Sequence, residues 1–403
     1  MSLVHTLSVM ESRFHVGRLR AALGVIGLAL LGAGQAQTAT AASGMTRSVT
    51  DRAHAIYHPA ANCGGAHVTV MTPRPGADLM PDHVASSPQA QAFYVRAAQA
   101  HVTWLDTVAC EKTNVTFKTG DSHDGQSTNW SGYQIGGAAA HSSLTAQANH
   151  YVQAAWVLPT RVQKATIDTS ATGYYGVAAW IGLGGSAMGR GLHSNMSRDH
   201  PLIQAGTHQQ VNQDGSIEPP YFWFQIVPET AAFKIPIPIS PGQKAMAVIN
   251  WIPGSNTAGV GVCNLTTARC ANLNITGVAE PSNVTEWIVE APTIKTATGT
   301  TSAALAAFSP AISFTDGCWS PTNVILSPVG NSALSTVKER NQFTMHPYTG
   351  AMVKDANPAC HGIDSGANLA RIDMITKVNH VDYYNARPFS VNDTDFGVMY
   401  YSP

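Results

Sequence analysis

Residues 284–290 read Val284-Thr-Glu-Trp-Ile-Val-Glu290. The run is rich in β-branched and aromatic side chains and holds neither glycine nor proline, which fits a pleated strand. Side chains alternate across a strand, so Glu286, Ile288 and Glu290 share one face and Trp287 and Val289 the other. Runs of the same kind lie on both sides of it. Upstream are Tyr151-Val-Gln-Ala-Ala-Trp-Val-Leu158, stopped by Pro159, and Gly176-Val-Ala-Ala-Trp-Ile-Gly182. Ile235-Pro-Ile-Pro-Ile239 alternates, and Ala245-Met-Ala-Val-Ile-Asn-Trp251 follows a Pro-Gly turn. Downstream come Ala311-Ile-Ser-Phe314, a loop-rich stretch over 318–360, and two closing strands at 369–378 and 396–401. Short strands separated by turn residues predict an all-β fold, a sandwich or a barrel.

Composition agrees. Of 403 residues only 12% are charged, about half the usual share of roughly 25%. Glycine, serine, threonine, asparagine and proline fill the gap, as turns require. A formal net charge of -1 gives no electrostatic footprint for nucleic acid or an anionic membrane. Low charge density also limits self-repulsion once carboxylates are protonated in acid.

The first 41 residues read as a signal peptide. Arg13, Arg18 and Arg20 precede an apolar run over 21–31, and small residues offer cleavage after Ala36 or Ala41. That run is shorter than the roughly 20 residues a membrane span needs, so the expectation is a secreted protein with no membrane attachment after cleavage. Residues 42–125 form an N-terminal extension, expected to be partly helical. Ser87 is a candidate N-cap, Pro88 takes the first helical position, and Phe93, Ala97, Trp104 and Val108 recur at helical spacing. The polar stretch 118–127 suits a linker. On the residues alone, the extension is equally a subdomain or a propeptide. The β domain is placed at 126–403.

Six cysteines in an exported chain point to disulfides. Cys263 and Cys270 flank a hairpin-like stretch, where a cross-strand bridge is expected. Proximity suggests Cys63 with Cys110 and Cys318 with Cys360, although six cysteines allow 15 connectivities. No CxxC or HExxH spacing occurs, and no metal or cofactor is expected. Nor is there a Gly-x-Ser-x-Gly elbow, a P-loop or a dinucleotide fingerprint. A Ser or Cys triad is defined by geometry rather than spacing, and 16 histidines allow many chance pairings.

Two polar residues stand out against apolar surroundings. Glu286 is either a solvated outer-face residue or a carboxylate set in a cleft. Gln204, in Pro201-Leu-Ile-Gln-Ala-Gly-Thr207, is either a strand-end polar residue or an amide aimed into a site.

A series of segments in this order resembles the glutamic peptidase (eqolisin) family. They are Thr128-Asn-Trp-Ser-Gly132, Ala155-Trp-Val-Leu-Pro159, Ala179-Trp-Ile-Gly-Leu-Gly-Gly185 and Leu202-Ile-Gln-Ala-Gly206. Then follow Tyr221-Phe-Trp-Phe-Gln-Ile-Val-Pro-Glu229, Asn264-Leu-Thr-Thr267, Thr285-Glu-Trp-Ile-Val-Glu290 and Phe308-Ser-Pro-Ala-Ile-Ser-Phe-Thr-Asp316. The resemblance implies a two-sheet antiparallel β-sandwich of the concanavalin A (lectin-like) kind with a cleft on a concave face. It implies secreted, monomeric acid endopeptidase activity on protein or peptide substrates. Gln204 and Glu286 take the positions of the catalytic pair, Trp180 and Trp223 match cleft tryptophans, and Trp130 matches one near the mature start. The chain departs from the family at Gly184, where an aspartate is usual, and at Gln225, where a glutamate is usual. Because the family resembles zymogens, residues 42–125 are then read as a propeptide.

The chemistry is consistent with acid. Histidine, with a reference pKa near 6.5, is protonated there, whereas a glutamate near 4.3 can take a proton from water and return it. A carboxamide offers an N–H donor that does not titrate. The competing readings are a glycan-binding or glycan-hydrolysing sandwich and a non-catalytic secreted binding protein. Glu286 and Glu290 are four residues apart on one strand, about 13 Å. Retaining glycosidases need roughly 5–5.5 Å between carboxyl groups and inverting ones roughly 6.5–9.5 Å.

Overall fold

β-Branched and aromatic residues form strands where the alternation places them. Residues 55–64, 67–73, 103–117, 122–123, 126–136, 151–165, 173–185, 201–228, 231–252, 256–282, 284–296, 299–320, 369–378, 381–390 and 396–401 are described by a computed structural model. All of them fall in one compact unit, Ser43–Pro403. Every helix or strand among them is a strand. Val284–Glu290 and Leu369–Val378 have the bounds the sequence suggests, and Tyr151–Val157, Lys244–Ile252 and Phe396–Tyr400 lie within a residue of them.

One half of the structure runs Phe233–Ile235, Ile217–Val227, Leu202–Val211, Tyr175–Gly184, Val284–Glu290, Trp130–Gly136 and Leu369–Val378, each strand antiparallel to the next. The other half runs Arg269–Thr276, Thr257–Asn264, Lys244–Ile252, Tyr151–Val157, Ile312–Ser320, Phe396–Tyr400 and Val381–Ser390. Val381–Ser390 pairs with Leu369–Val378, so the two halves are hydrogen-bonded into one continuous sheet. The expected sandwich of two separate sheets therefore holds only loosely. The halves do share one main core, in which Trp156, Ile249 and Val260 of one half cluster with Ile181, Ile203 and Phe224 of the other. Each such side chain contributes about 1.5–3 kcal/mol by leaving water. Among the described residues, buried hydrogen bonds that cross this core include Trp156 Nε1 to Thr207 Oγ1 at 2.8 Å and Trp287 Nε1 to the Gln153 carbonyl at 3.0 Å.

The N-terminal extension is not helical where it is described. Ala55–Pro59 and Val68–Pro73 form a hairpin that pairs with Arg269–Thr276. Thr103–Trp104, expected near the helix C-terminus, is a short strand parallel to Arg269 and Cys270. Thr103 N–H reaches the Ala268 carbonyl at 2.7 Å and Leu105 N–H the Cys270 carbonyl at 2.9 Å. Val108 is buried but lies outside any helix. An open sheet edge offers unpaired backbone groups, and that partner overrides a local helical spacing. Ser87, Pro88, Phe93 and Ala97 lie outside the described residues, as does the signal peptide reading of 1–41.

Cys263 and Cys270 face each other across their hairpin and are bonded, and Cys63 is bonded to Cys110. The third suggested pairing involves Cys360, outside the described residues.

Candidate active site

Register across the first half builds the site in rows, because directly opposed residues on adjacent strands present their side chains on the same face. One row runs Gln225, Gln204, Gly182, Glu286 and Gln134. The next runs Trp223, Gly206, Trp180, Ile288 and Gly132, and the third Tyr221, His208, Ala178, Glu290 and Trp130. The face is opposite to the one carrying Ile181, Ile203 and Phe224. Trp130, Trp180, Trp223, Leu202 and Ile288 form a separate apolar cluster on it.

Gln204 and Glu286 thus stand on either side of Gly182, two strand spacings apart, about 9–10 Å between Cα atoms. Gly182 puts no side chain between them. Glycines also frame the carboxyl: a Cβ at Gly182 would lie 3.2 Å from Glu286 Oε2, and one at Gly185 3.4 Å from Oε1. Gln134, which the sequence reading did not single out, donates from Nε2 to Glu286 Oε1 at 2.6 Å. Its only sequence signal is its place in the alternation, two residues beyond Gly132. Glu290 accepts from Trp180 Nε1 at 2.8 Å, and Trp130 meets Trp180 edge-on at 5.0 Å.

The two departures noted in the sequence have structural counterparts. Gly184 sits at φ +91°, and a Cβ there would lie 2.1 Å from the Pro201 carbonyl oxygen, so the local backbone excludes an aspartate. Gln225 is a second amide beside the first: Gln204 Nε2 donates to Gln225 Oε1 at 3.4 Å.

Residues 113–117 cover this face. Phe117 N–H donates to Gln225 Oε1 at 3.1 Å, and the Phe117 carbonyl accepts from Gln204 Nε2 at 3.2 Å. The Phe117 ring stacks on Trp223 with centroids 3.5 Å apart and meets His208 edge-on at 5.9 Å. Phe117 thus lies over the Gln204 side of the row, and both Gln204 and Glu286 are fully buried. Gln204 Oε1, Glu286 Oε2, Trp130 Nε1, Trp223 Nε1 and His208 Nδ1 are buried without a hydrogen-bond partner. Such atoms usually find partners, and among the described residues the one other such atom is Ser131 Oγ, on the opposite face of its strand.

Burial sets the electrostatics. It pushes the Glu286 carboxyl up to about 8, against the opposing hydrogen bond from Gln134. Burial likewise lowers His208 to about 4, opposed by Gln210 and assisted by the Lys234 charge. Among the described residues no group of three His, Cys, Asp or Glu could hold a metal ion. A carboxyl and a carboxamide facing each other over a side-chain-free gap can hold a carbonyl group and a water molecule between them.

A family model described as the Peptidase A4 family matches residues 128–357. No curated protein matches the chain. Among solved structures, scytalido-glutamic peptidase with a transition state analog inhibitor is 17% identical, over 70% of this chain and 100% of that chain, with a TM-score of 0.43. An eqolisin family member bound to the tripeptide Ala-Ile-His is 16% identical, over 70% and 100%, with a TM-score of 0.40. Aspergilloglutamic peptidase from Aspergillus niger is 17% identical, over 56% and 99%, with a TM-score of 0.34.

Proposed function

The chain belongs to the peptidase A4 family, and from that premise we propose that this glutamic endopeptidase works in acid with Glu286 as general base and acid and Gln204 as oxyanion stabiliser. Its substrates are proteins or peptides. The observation that carries the assignment is the shared row: Gln204 and Glu286 flank Gly182 on one face of three adjacent strands.

With a peptide and water in the groove, hydration of the site and the Gln134 hydrogen bond favour the ionised form of Glu286 over the dry, buried state, and that form takes a proton from the water as its oxygen attacks the carbonyl carbon. Gln204 Nε2 donates to the carbonyl oxygen as negative charge develops there, the kind of donor whose loss costs about 3–4 kcal/mol of transition-state stabilisation. Glu286 then gives the proton to the amide nitrogen, and the C–N bond breaks. Gln134 positions the carboxyl and favours its ionised form through its hydrogen bond to Oε1. Trp180, Trp223 and Trp130 supply the apolar floor on which substrate side chains rest.

Secretion through a cleaved signal peptide, and release of an N-terminal propeptide from within 42–125, complete the proposal. No helix among the described residues is long and apolar enough to cross a membrane. A glycan reading gains nothing from the structure, since Glu290 is engaged by Trp180 and lies two rows from Glu286 on the same strand. Digestion of denatured protein in acid, with and without pepstatin, tests the reading. Pepstatin-insensitive cleavage is expected, lost by at least about 10³-fold in Glu286→Gln and about 10²–10³-fold in Gln204→Ala. Full activity in either variant would sink it.

A further inference from the structure

We propose that residues 113–117 lie in the groove as a bound peptide does, and that the Phe117–Lys118 bond is where the chain cuts itself. The inference rests on the peptidase reading above and goes beyond it by naming the bond.

Phe117 is held by both of its main-chain polar groups, and by side chains far away in sequence. Its N–H is taken by Gln225 and its carbonyl by Gln204. Those two glutamines oppose one another in register. The Phe117 carbonyl carbon is the acyl half of the bond to Lys118. Its oxygen therefore already accepts from the amide assigned to the oxyanion, while Glu286, across Gly182, keeps Oε2 without a partner. The preceding residues add a strand in the usual manner of peptide recognition: Val115 and Thr116 run antiparallel to Ile294 and Thr293. Lys295 N–H also bonds the Asn114 carbonyl at 2.7 Å. The ring occupies an aromatic slot, flat on Trp223 and edge-on to His208. Eighty-seven residues of sequence separate Phe117 from Gln204, so this fit is not a local turn contact.

Covalent topology suits a cut there. Cys63 and Cys110 are bonded to each other, and Cys263 and Cys270 to each other. Among the described residues no disulfide ties the two sides of the Phe117–Lys118 bond, and the family match begins downstream, at residue 128. The step balances as hydrolysis. Water adds its oxygen to the Phe117 carbonyl carbon, and Glu286 carries one of its protons to the Lys118 nitrogen. The C–N bond breaks, leaving a carboxyl at Phe117 and an amine at Lys118.

The test is acid incubation of the full chain, followed by intact mass and N-terminal sequencing, beside Glu286→Gln, Phe117→Ala and Lys118→Pro. The expected first product begins at Lys118, appears at a rate independent of protein concentration, and is absent in Glu286→Gln. Phe117→Ala, which loses the stack on Trp223, should give that product about ten-fold more slowly. Lys118→Pro keeps the stack and should block the cut, which covers the case of Phe117→Ala failing to fold. An active peptidase whose first cut lies elsewhere, or which cuts Phe117→Ala and Lys118→Pro at the wild-type rate, overturns the proposal and spares the peptidase reading. A folded chain that cleaves neither itself nor denatured protein overturns both.

Discussion

A methyl group added at Gly182 would lie 2.9 Å from Leu202 Cδ1, 2.9 Å from Trp180 Cζ3 and 3.2 Å from Glu286 Oε2. Three groups from three strands would have to give way, and the carboxyl is among them. Displacing a reacting group by about 1 Å can cost on the order of 10²-fold. Gly182→Ala should therefore lower kcat by about 10–10²-fold in a folded protein; an unchanged kcat would mean that the carboxyl does not use this gap. Glu286 also makes a prediction about stability. Its folded pKa is raised to about 8 from an ordinary 4.5, so between those values the folded chain holds a proton that the unfolded chain has released. The stabilising contribution is complete below the unfolded value and is lost as pH rises through the folded one. In a Gln204→Ala background, which avoids turnover, chemical denaturation should show stability falling from about pH 5 to pH 8. The additional Glu286→Gln change should remove that slope. His208 has the opposite sign: lowered to about 4 from 6.5, it stabilises the fold above the higher value, and that contribution is lost as pH falls through the lower one. Acid thus weakens the ring that touches Phe117 while favouring protonated Glu286.

Among the elements, the strand Leu202–Val211 shows what a sequence can and cannot disclose. All ten residues are buried, including Gln204, His208, Gln209 and Gln210. Gln204, His208 and Gln210 interrupt the apolar pattern on the face of the candidate site, while Gln209, on the core face, donates to the Pro159 carbonyl at 3.2 Å, so Gln204 reads equally as a strand-end residue. Val284–Glu290 is legible to its ends, since its residue types favour a strand on both faces. Alternation also places Trp180, Trp223, Gln204 and Glu286 within strands, but only register across strands shows that they share a face with Trp130. Phe117 and Gln134 could not be found in this way, because their roles come from contacts across 108 and 152 residues of sequence. Helical spacing at Trp104 and Val108 misled for a related reason: Trp104 pairs with a sheet edge more than 150 residues away, and the Val108 carbonyl accepts from Ala61 N–H. The same strand links the halves of the sheet through Thr207, whose hydroxyl accepts from Trp156 Nε1 at 2.8 Å in the core. Thr207→Val keeps the shape and strands a buried donor, so a loss of about 1–3 kcal/mol is expected by urea denaturation. A change within about 0.5 kcal/mol would mean that Trp156 finds another acceptor.

At the scale of the molecule, the N-terminal extension is stapled to itself and laid on the rest. Its disulfide joins Cys63 to Cys110 across a sequence separation of 47, whereas Cys263 and Cys270 are only 7 apart. Loop-closure entropy assigns about 4 kcal/mol to the longer staple and about 2 kcal/mol to the shorter. Neither bond crosses from the extension into the sheet, so the grip of the extension on the groove depends on noncovalent contacts: short strand pairings, the Phe117 stack and the amides of Gln204 and Gln225. Removing the longer staple as Cys63→Ser with Cys110→Ser should leave the sheet folded but make the ordered extension much harder to sustain. Measured in the Glu286→Gln background, where no cut intervenes, hydrogen exchange at Val115 and Phe117 should quicken well beyond that at core positions such as Val260 and Ile181. In the active chain the same pair of substitutions should shorten the lag before activity appears in acid. If exchange quickens equally across core and extension, the two unfold as one unit, and the groove is not uncovered by release of the extension alone.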